Sequence, residues 1–207
     1  MARLYITGDC AVEKWPNADH GVIQEVNDKE LKKISLLTSP SGSLALFEIP
    51  NNDISGVKEL TNLIYLDGIQ DPGNAGTIIR IADWYGVDGI IRSTDSADFF
   101  APKVVQASMG SIGQVPLWTI DHAHFSNAFS SFKKVGASIE PMARYTPEAN
   151  NRICLVVGNE GKGISPEIME ELDATIFIPG SHNKAAESLN VSVATGIICQ
   201  HIFGESL

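Results

Sequence analysis

From residue 62 onward, short apolar runs alternate with segments whose apolar residues recur at helical spacing, and this alternation leaves few architectures open. Apolar runs at 63–66, 89–91, 115–118, 153–157 and 175–178 read as strands. Helical spacing covers 73–85, 101–108, 125–134, 166–172 and 188–203. Strands that run the same way need a crossover to carry the chain back, so the pattern predicts an α/β fold, a mostly parallel sheet with helices on both faces. In such sheets ligands gather at the carboxyl ends of the strands.

The first 50 residues differ in character. Asn27 and Glu30 are spaced as a capping box for a short helix, Ser39-Pro40-Ser41-Gly42 turns the chain, and 44–49 reads as a strand. Pro50-Asn51-Asn52-Asp53 reads as a surface connection. The expected division is a small N-terminal segment, 1–50, and a main domain, 51–207, with little core in the chain before Ser43.

No run approaches the roughly 18 apolar residues that span a bilayer, and Gly8-Asp9 cuts the opening short of a signal peptide, so no membrane partner is expected. Cys10, Cys154 and Cys199 build no disulfide framework and fit a reducing cytoplasm. His122-Ala123-His124 is the densest histidine pair, but alternate spacing with no third ligand nearby reads as a solvated helix start. His20, His182 and His201 are scattered, and no metal is expected. A net charge of −10 argues against nonspecific attraction to nucleic acid and leaves room for one local basic surface.

Three loops rich in glycine, asparagine and serine follow candidate strands. The first, Gly68-Ile69-Gln70-Asp71-Pro72-Gly73-Asn74-Ala75-Gly76, leads into a helix on which Asn74, Thr77 and Arg80 form one polar row. Arg80 reads either as a solvated helix charge or a partner for Asp83, or as a guanidinium fork for a phosphate or oxyanion. Glycines at 68, 73 and 76 lack the close spacing of a dinucleotide-binding turn. The second, Gly158-Asn159-Glu160-Gly161-Lys162-Gly163, is too short for a phosphate-cradling P-loop, and its Lys162 precedes glycine. Its glycines allow close approach by a planar ligand, and Glu160 is either a solvated charge or a placed acid. The third starts after Ile178-Pro179 and ends in Ser188-Leu189-Asn190-Val191-Ser192-Val193-Ala194. Beyond it, Leu189, Val193 and Ile197 form one apolar row and Ala194, Ile198 and Ile202 another. Two rows need more than one sheet face to cover them, which predicts a subunit interface.

Together the three motifs resemble the SpoU/TrmH RNA ribose 2′-O-methyltransferases of the SPOUT superfamily, across about residues 60–205. The matching stretches are 71–86, 156–164 and 178–179 with 188–194. The resemblance implies a C-terminal trefoil knot, bent S-adenosylmethionine held by the second and third loops, and a homodimer in which the signature arginine approaches the partner's cofactor. It assigns cofactor contacts to Val157, Gly158, Asn159, Gly161, Ile178, Pro179, Gly180, Ser188 and Leu189. The family usually has methionine after the proline and a shorter span to the serine, whereas here 180–186 forms an insert. Members often carry an N-terminal domain similar to ribosomal protein L30, of which only a reduced version fits before Ser39.

The implied reaction is methyl transfer to a ribose 2′-hydroxyl in tRNA or rRNA. Asn74, Arg80, Glu160, Ser188 and Asn190 are the expected catalytic residues. Arg80 acts as phosphate clamp and stabiliser of alkoxide charge, since a guanidinium has no acceptor for a proton. Asn74 and Arg80 of the partner grip RNA, and Glu160 orients the substrate or receives the proton. Arg92, Lys103, Arg144, Lys162 and Lys184 are candidates for further RNA contact. The competing reading is an RNA-binding or assembly protein that keeps the fold and cofactor pocket without turnover. A base or protein methyltransferase fits Arg80 less well.

Overall fold

The computed structural model describes residues 1–8, 20–140, 145, 151–181, 183 and 185–204, in two compact units, Met1–Asn51 and Asn52–Leu207. Arg144 and Lys184, along with Cys10 and His182, lie outside the described residues.

In the first unit, β1 (Arg3–Ile6) lies between β2 (Ile23–Glu25) and β3 (Ser43–Leu46), parallel to β2 and antiparallel to β3. Helix α1 (Asp28–Ile34) begins with the expected capping box, Asn27 with Glu30. The sequence reading gave this segment little core and missed β1 and β2. Leu4, Ile6 and Leu31 are buried, so the segment has a small core of its own.

The second unit is built on six parallel strands: β4 (Asn62–Asp67), β5 (Gly89–Ser93), β6 (Leu117–Ile120), β7 (Lys133–Ser138), β8 (Ile153–Gly158) and β9 (Ala174–Phe177). Their order across the sheet is β6-β5-β4-β8-β7-β9. The connections carry α2 (Pro72–Trp84), α3 (Pro102–Ser108), α4 (Phe125–Ala128) and α5 (Pro166–Met169), and α6 (Val191–Ile202) follows the last strand. Alternate strand residues bury into opposite faces. Ile64 and Leu66 of β4, with Leu155 and Val157 of β8, join the core that includes Ile78 and Ile79 of α2 and Ile198 of α6. Leu63 and Tyr65, with Cys154 and Val156, join a second core with Phe125, Phe129 and Ile168. Continuous apolar runs are what a strand buried on both faces requires.

Two readings of this unit are corrected. The helix expected over 125–134 is only α4, and its second half belongs to β7. This strand slots between β8 and β9, and Val135 and Gly136 are buried there. Helix α6 starts at Val191 rather than Ser188, because the Asn190 side chain caps it. No helix among the described residues is long and apolar enough to cross a membrane.

Candidate active site

Local sequence sets three asparagines at the carboxyl edge of the sheet. Asp71 caps α2, its Oδ1 accepting the Asn74 N–H at 2.8 Å, and Pro72 opens the helix, so Asn74 stands in the first turn. Asn190 caps α6, its Oδ1 accepting from the backbone of Ser192 (3.0 Å) and Val193 (3.3 Å) and from the Ser192 hydroxyl (2.7 Å). Asn159 organises the loop after β8: its Oδ1 accepts the N–H groups of Gly161 and Lys162, and its backbone pairs with Gly163 in both directions. Glycine is required at 158, since a Cβ there would lie 2.3 Å from the Gly163 carbonyl carbon and the Ile164 nitrogen. The close approach that the glycines permit is therefore first that of the loop on itself.

These elements meet through one chain of side-chain hydrogen bonds. Asn190 Nδ2 donates to Asn74 Oδ1 at 3.0 Å, and Asn74 Nδ2 donates to Glu160 Oε1 at 2.8 Å. The ends fix its direction. Backbone N–H groups at the start of α6 can only donate, so Asn190 turns its oxygen to them and its nitrogen to Asn74, while an ionised Glu160 can only accept. All three are reached from one protomer, so Asn74 is engaged within its own chain at both ends of its amide. The loop that carries Glu160 is also tied to the exit of β4. Asn159 Nδ2 donates to the Gly68 carbonyl at 2.7 Å, and the Ser165 N–H donates to Asp67 Oδ2 at 2.6 Å.

The other expected site residues differ in exposure and in partners. Arg80 is exposed on α2, and no ion pair among the described residues includes it, Asp83 included. Lys103 and Lys162 are also exposed. Arg92 is turned inward: Nη1 donates to the Ser96 carbonyl at 2.8 Å, Nη2 lies 3.7 Å from Asp98, and the side chain is 15% exposed, leaving little of it for a phosphate. Ser188 and Leu189 lie in the exposed loop ahead of the α6 cap, and Ser188 has no part in the asparagine chain. Ser192 fills that role, though the sequence gave its hydroxyl no task. Val157 is buried in β8, while Pro179 and Gly180 are exposed beyond β9.

Two further residues were not singled out for chemistry. Asp67 closes β4 with its side chain 2% exposed, and His122 Nε2 lies 2.9 Å from its Oδ1. Nε2 makes no aligned hydrogen bond in this contact, and the imidazole is one third exposed. Only an acid closing the run 63–66 could have pointed to Asp67. The solvated reading of His122 is corrected, although its segment does start a helical turn, capped by Asp121.

For a cofactor, Ile178, Pro179, Ile197 and Ile198 line an apolar recess, and the exposed Gly180 and Leu189 lie in the loop between β9 and α6. An apolar wall beside exposed loop backbone suits a small molecule with both a heteroaromatic ring and polar ends.

A parallel α/β sheet whose strand-end loops gather an acid, two amides and an apolar recess has the build of the class of proteins that take a small ligand at the carboxyl edge. The family model for the SpoU rRNA methylase family matches residues 61–200, and the chain belongs to that family. It is 29% identical over 170 residues to the 23S rRNA (guanosine(2553)-2'-O)-methyltransferase RlmP of Bacillus subtilis, covering 80% of this chain and 66% of that protein. It is 32% identical over 182 residues to the mitochondrial rRNA methyltransferase 1 of Saccharomyces cerevisiae, covering 75% of this chain and 44% of the relative. Less than two thirds of these relatives' length is therefore represented. Among solved structures, the AdoMet-bound rRNA methyltransferase of Sinorhizobium meliloti superposes with a TM-score of 0.82 at 28% identity, over 96% of this chain and 78% of that one.

Proposed function

We propose that this protein transfers a methyl group from S-adenosylmethionine to a ribose 2′-hydroxyl of tRNA or rRNA, acting as a cytoplasmic homodimer. The observation that carries the reading is the hydrogen-bonded chain Asn190–Asn74–Glu160, which joins all three family motifs at one edge of the sheet. Membership of the SpoU family and likeness to relatives named as RNA methyltransferases support it.

When bound, S-adenosylmethionine supplies an electrophilic methyl carbon on a sulfonium sulfur. Val157, Gly158, Asn159, Gly161, Ile178, Pro179, Gly180, Ser188 and Leu189 would hold it. In the transfer, a bond from the ribose oxygen to the methyl carbon forms as the carbon–sulfur bond breaks, and the hydroxyl proton leaves. Much of the task is therefore positioning. Asn74 holds Glu160 by one carboxylate oxygen, leaving the other to orient the hydroxyl or receive its proton. Arg80 clamps phosphate and stabilises growing alkoxide charge, approaching the site of the partner protomer. Val193 and Ile197, 52% and 46% exposed on α6, supply an apolar face for that partner. Support for a trefoil knot comes from the return of the chain from β9, at the sheet edge, to Asn74 beside β4.

The test is incubation with tritiated S-adenosylmethionine and total RNA, followed by mapping of the label. A ribose 2′-O-methyl at a defined nucleotide is expected, and label that persists after 2′-deoxy substitution at that nucleotide rejects ribose transfer. Arg80→Ala should cut transfer by roughly a hundredfold, the scale of losing one charge-stabilising donor. Full activity in that variant sinks the clamp, and selective loss of cofactor binding moves Arg80 out of the substrate site.

A further inference from the structure

We propose that His122 is a positioning residue for methyl transfer, acting through Asp67 on the loop that presents Glu160. The inference rests on the role given to Glu160 above. It starts from how that loop is held. Residues 159–165 are anchored at both ends to the exit of β4, Asn159 to the Gly68 carbonyl and the Ser165 N–H to Asp67. Glu160 stands between these two anchors. Its carboxylate is aligned from the other side by Asn74, so a shift of the loop would pull Glu160 off that amide.

The second anchor depends on how Asp67 is held. This carboxylate is almost wholly buried, and no lysine or arginine pairs with it among the described residues. Burying a carboxylate without partners for both of its oxygens is costly, and it tends to pull its surroundings out of place. The Ser165 N–H answers Oδ2. His122, from the turn after β6, answers Oδ1 at 2.9 Å, with Nε2 buried against it. Asp95, at the exit of β5, lies 3.8 Å from the same nitrogen, with its own side chain more than half exposed. The Asp121 carboxylate caps the turn that carries His122 and sets where the ring emerges. The exits of β4, β5 and β6 are thereby joined to the loop that carries Glu160. The geometry asks His122 to hold Asp67 in place. It is not asked to touch substrate or cofactor.

The test uses the full chain with His122→Ala and His122→Gln, a neutral side chain with an N–H donor at similar reach. Three readouts are taken: transfer from tritiated S-adenosylmethionine to total RNA, binding of S-adenosylmethionine, and amide hydrogen exchange resolved by residue. For His122→Ala we expect transfer to fall by roughly tenfold or more, the scale of misplacing a catalytic group. The amides of Gly161, Lys162 and Ser165 should exchange faster while those of Leu63 and Tyr65 in β4 keep their protection. His122→Gln should restore most of both, a rescue that mere filling of space would not give. The proposal is overturned by wild-type transfer in His122→Ala, by a loss of transfer with the loop amides unchanged, or by faster exchange through β4 as well. Glu160→Ala separates this idea from the one beneath it. If that variant transfers methyl at the wild-type rate, the role of Glu160 falls, whereas the exchange readout still decides whether His122 holds the loop.

Discussion

The amide of Asn74 works as an adapter between a group that only donates and a group that only accepts. Its two ends are chemically different, and so are the demands placed on them by the start of α6 and by Glu160. Asn74→Asp keeps the shape and removes the distinction, setting a second carboxylate where Glu160 needs a donor. Like charges at hydrogen-bond distance cannot both stay ionised easily. Methyl transfer by this variant should fall by roughly tenfold or more, with the fold retained by circular dichroism. An active Asn74→Asp enzyme would show that the adapter is dispensable. The residues of this chain were readable as candidates because they punctuate apolar runs, but their contact was not. Asn74 lies 86 residues from Glu160 and 116 from Asn190, and no local periodicity reports a bond over that distance. Asp67 and His122 were harder still, since neither belongs to a pattern that repeats.

At the scale of elements, the pairing of α2 with α3 depends on one residue. A Cβ on Gly76 would come within 2.5 Å of the Ala107 Cβ and 2.6 Å of the Val104 carbonyl oxygen. Alanine is favoured over glycine in a helix by roughly 1 kcal/mol, whereas overpacking a tight contact costs about 1–3 kcal/mol, and a backbone oxygen cannot swing aside as a side chain can. Gly76→Ala should therefore lower the thermal midpoint, and a raised midpoint would show that the two helices part without penalty. The same helix was legible almost to its ends, as were β4 and β8, because a long apolar stripe or an unbroken apolar run survives any tertiary context. Strand β7 was not. Its sequence, Lys133-Lys134-Val135-Gly136-Ala137-Ser138, has small residues at its centre and charges at its start, and it follows apolar residues spaced as a helix. What makes it a strand is its slot: Gly136 lies where a Cβ would meet Leu172 and Ile164, a constraint visible only once the sheet is assembled.

For the whole molecule, the apolar face of α6 and the buried thiols each carry an expectation. If Val193 and Ile197 lie in a subunit interface, Val193→Asp should convert a dimer into a monomer in sedimentation experiments and abolish transfer. A monomeric wild-type chain, or a dimer indifferent to the change, removes that interface. Burial pushes the Cys199 thiol up to about 12 and raises that of Cys154 as well, so both stay protonated in the folded state. A raised folded-state value contributes stability that is present below the range of an unfolded thiol and is lost as pH climbs toward the folded value. Because the thiolate is the reactive form, neither residue should take up a maleimide in the native protein at about pH 8, and both should do so in urea. Mass mapping of the labelled peptides decides it.

The sheet order has a consequence for how the chain is made. Strand β8, near the middle of the sheet, joins β4 to β7, yet it is the fifth of the six to be synthesised. Until residues 153–158 have left the ribosome, β4 and β7 each present an open edge, the kind of surface that pairs with the wrong partner. Closing this gap joins segments some ninety residues apart, which is slow compared with local pairing. A nascent chain stopped short of β8 should accordingly be aggregation-prone and unable to bind cofactor, and both properties should change together when that one strand arrives.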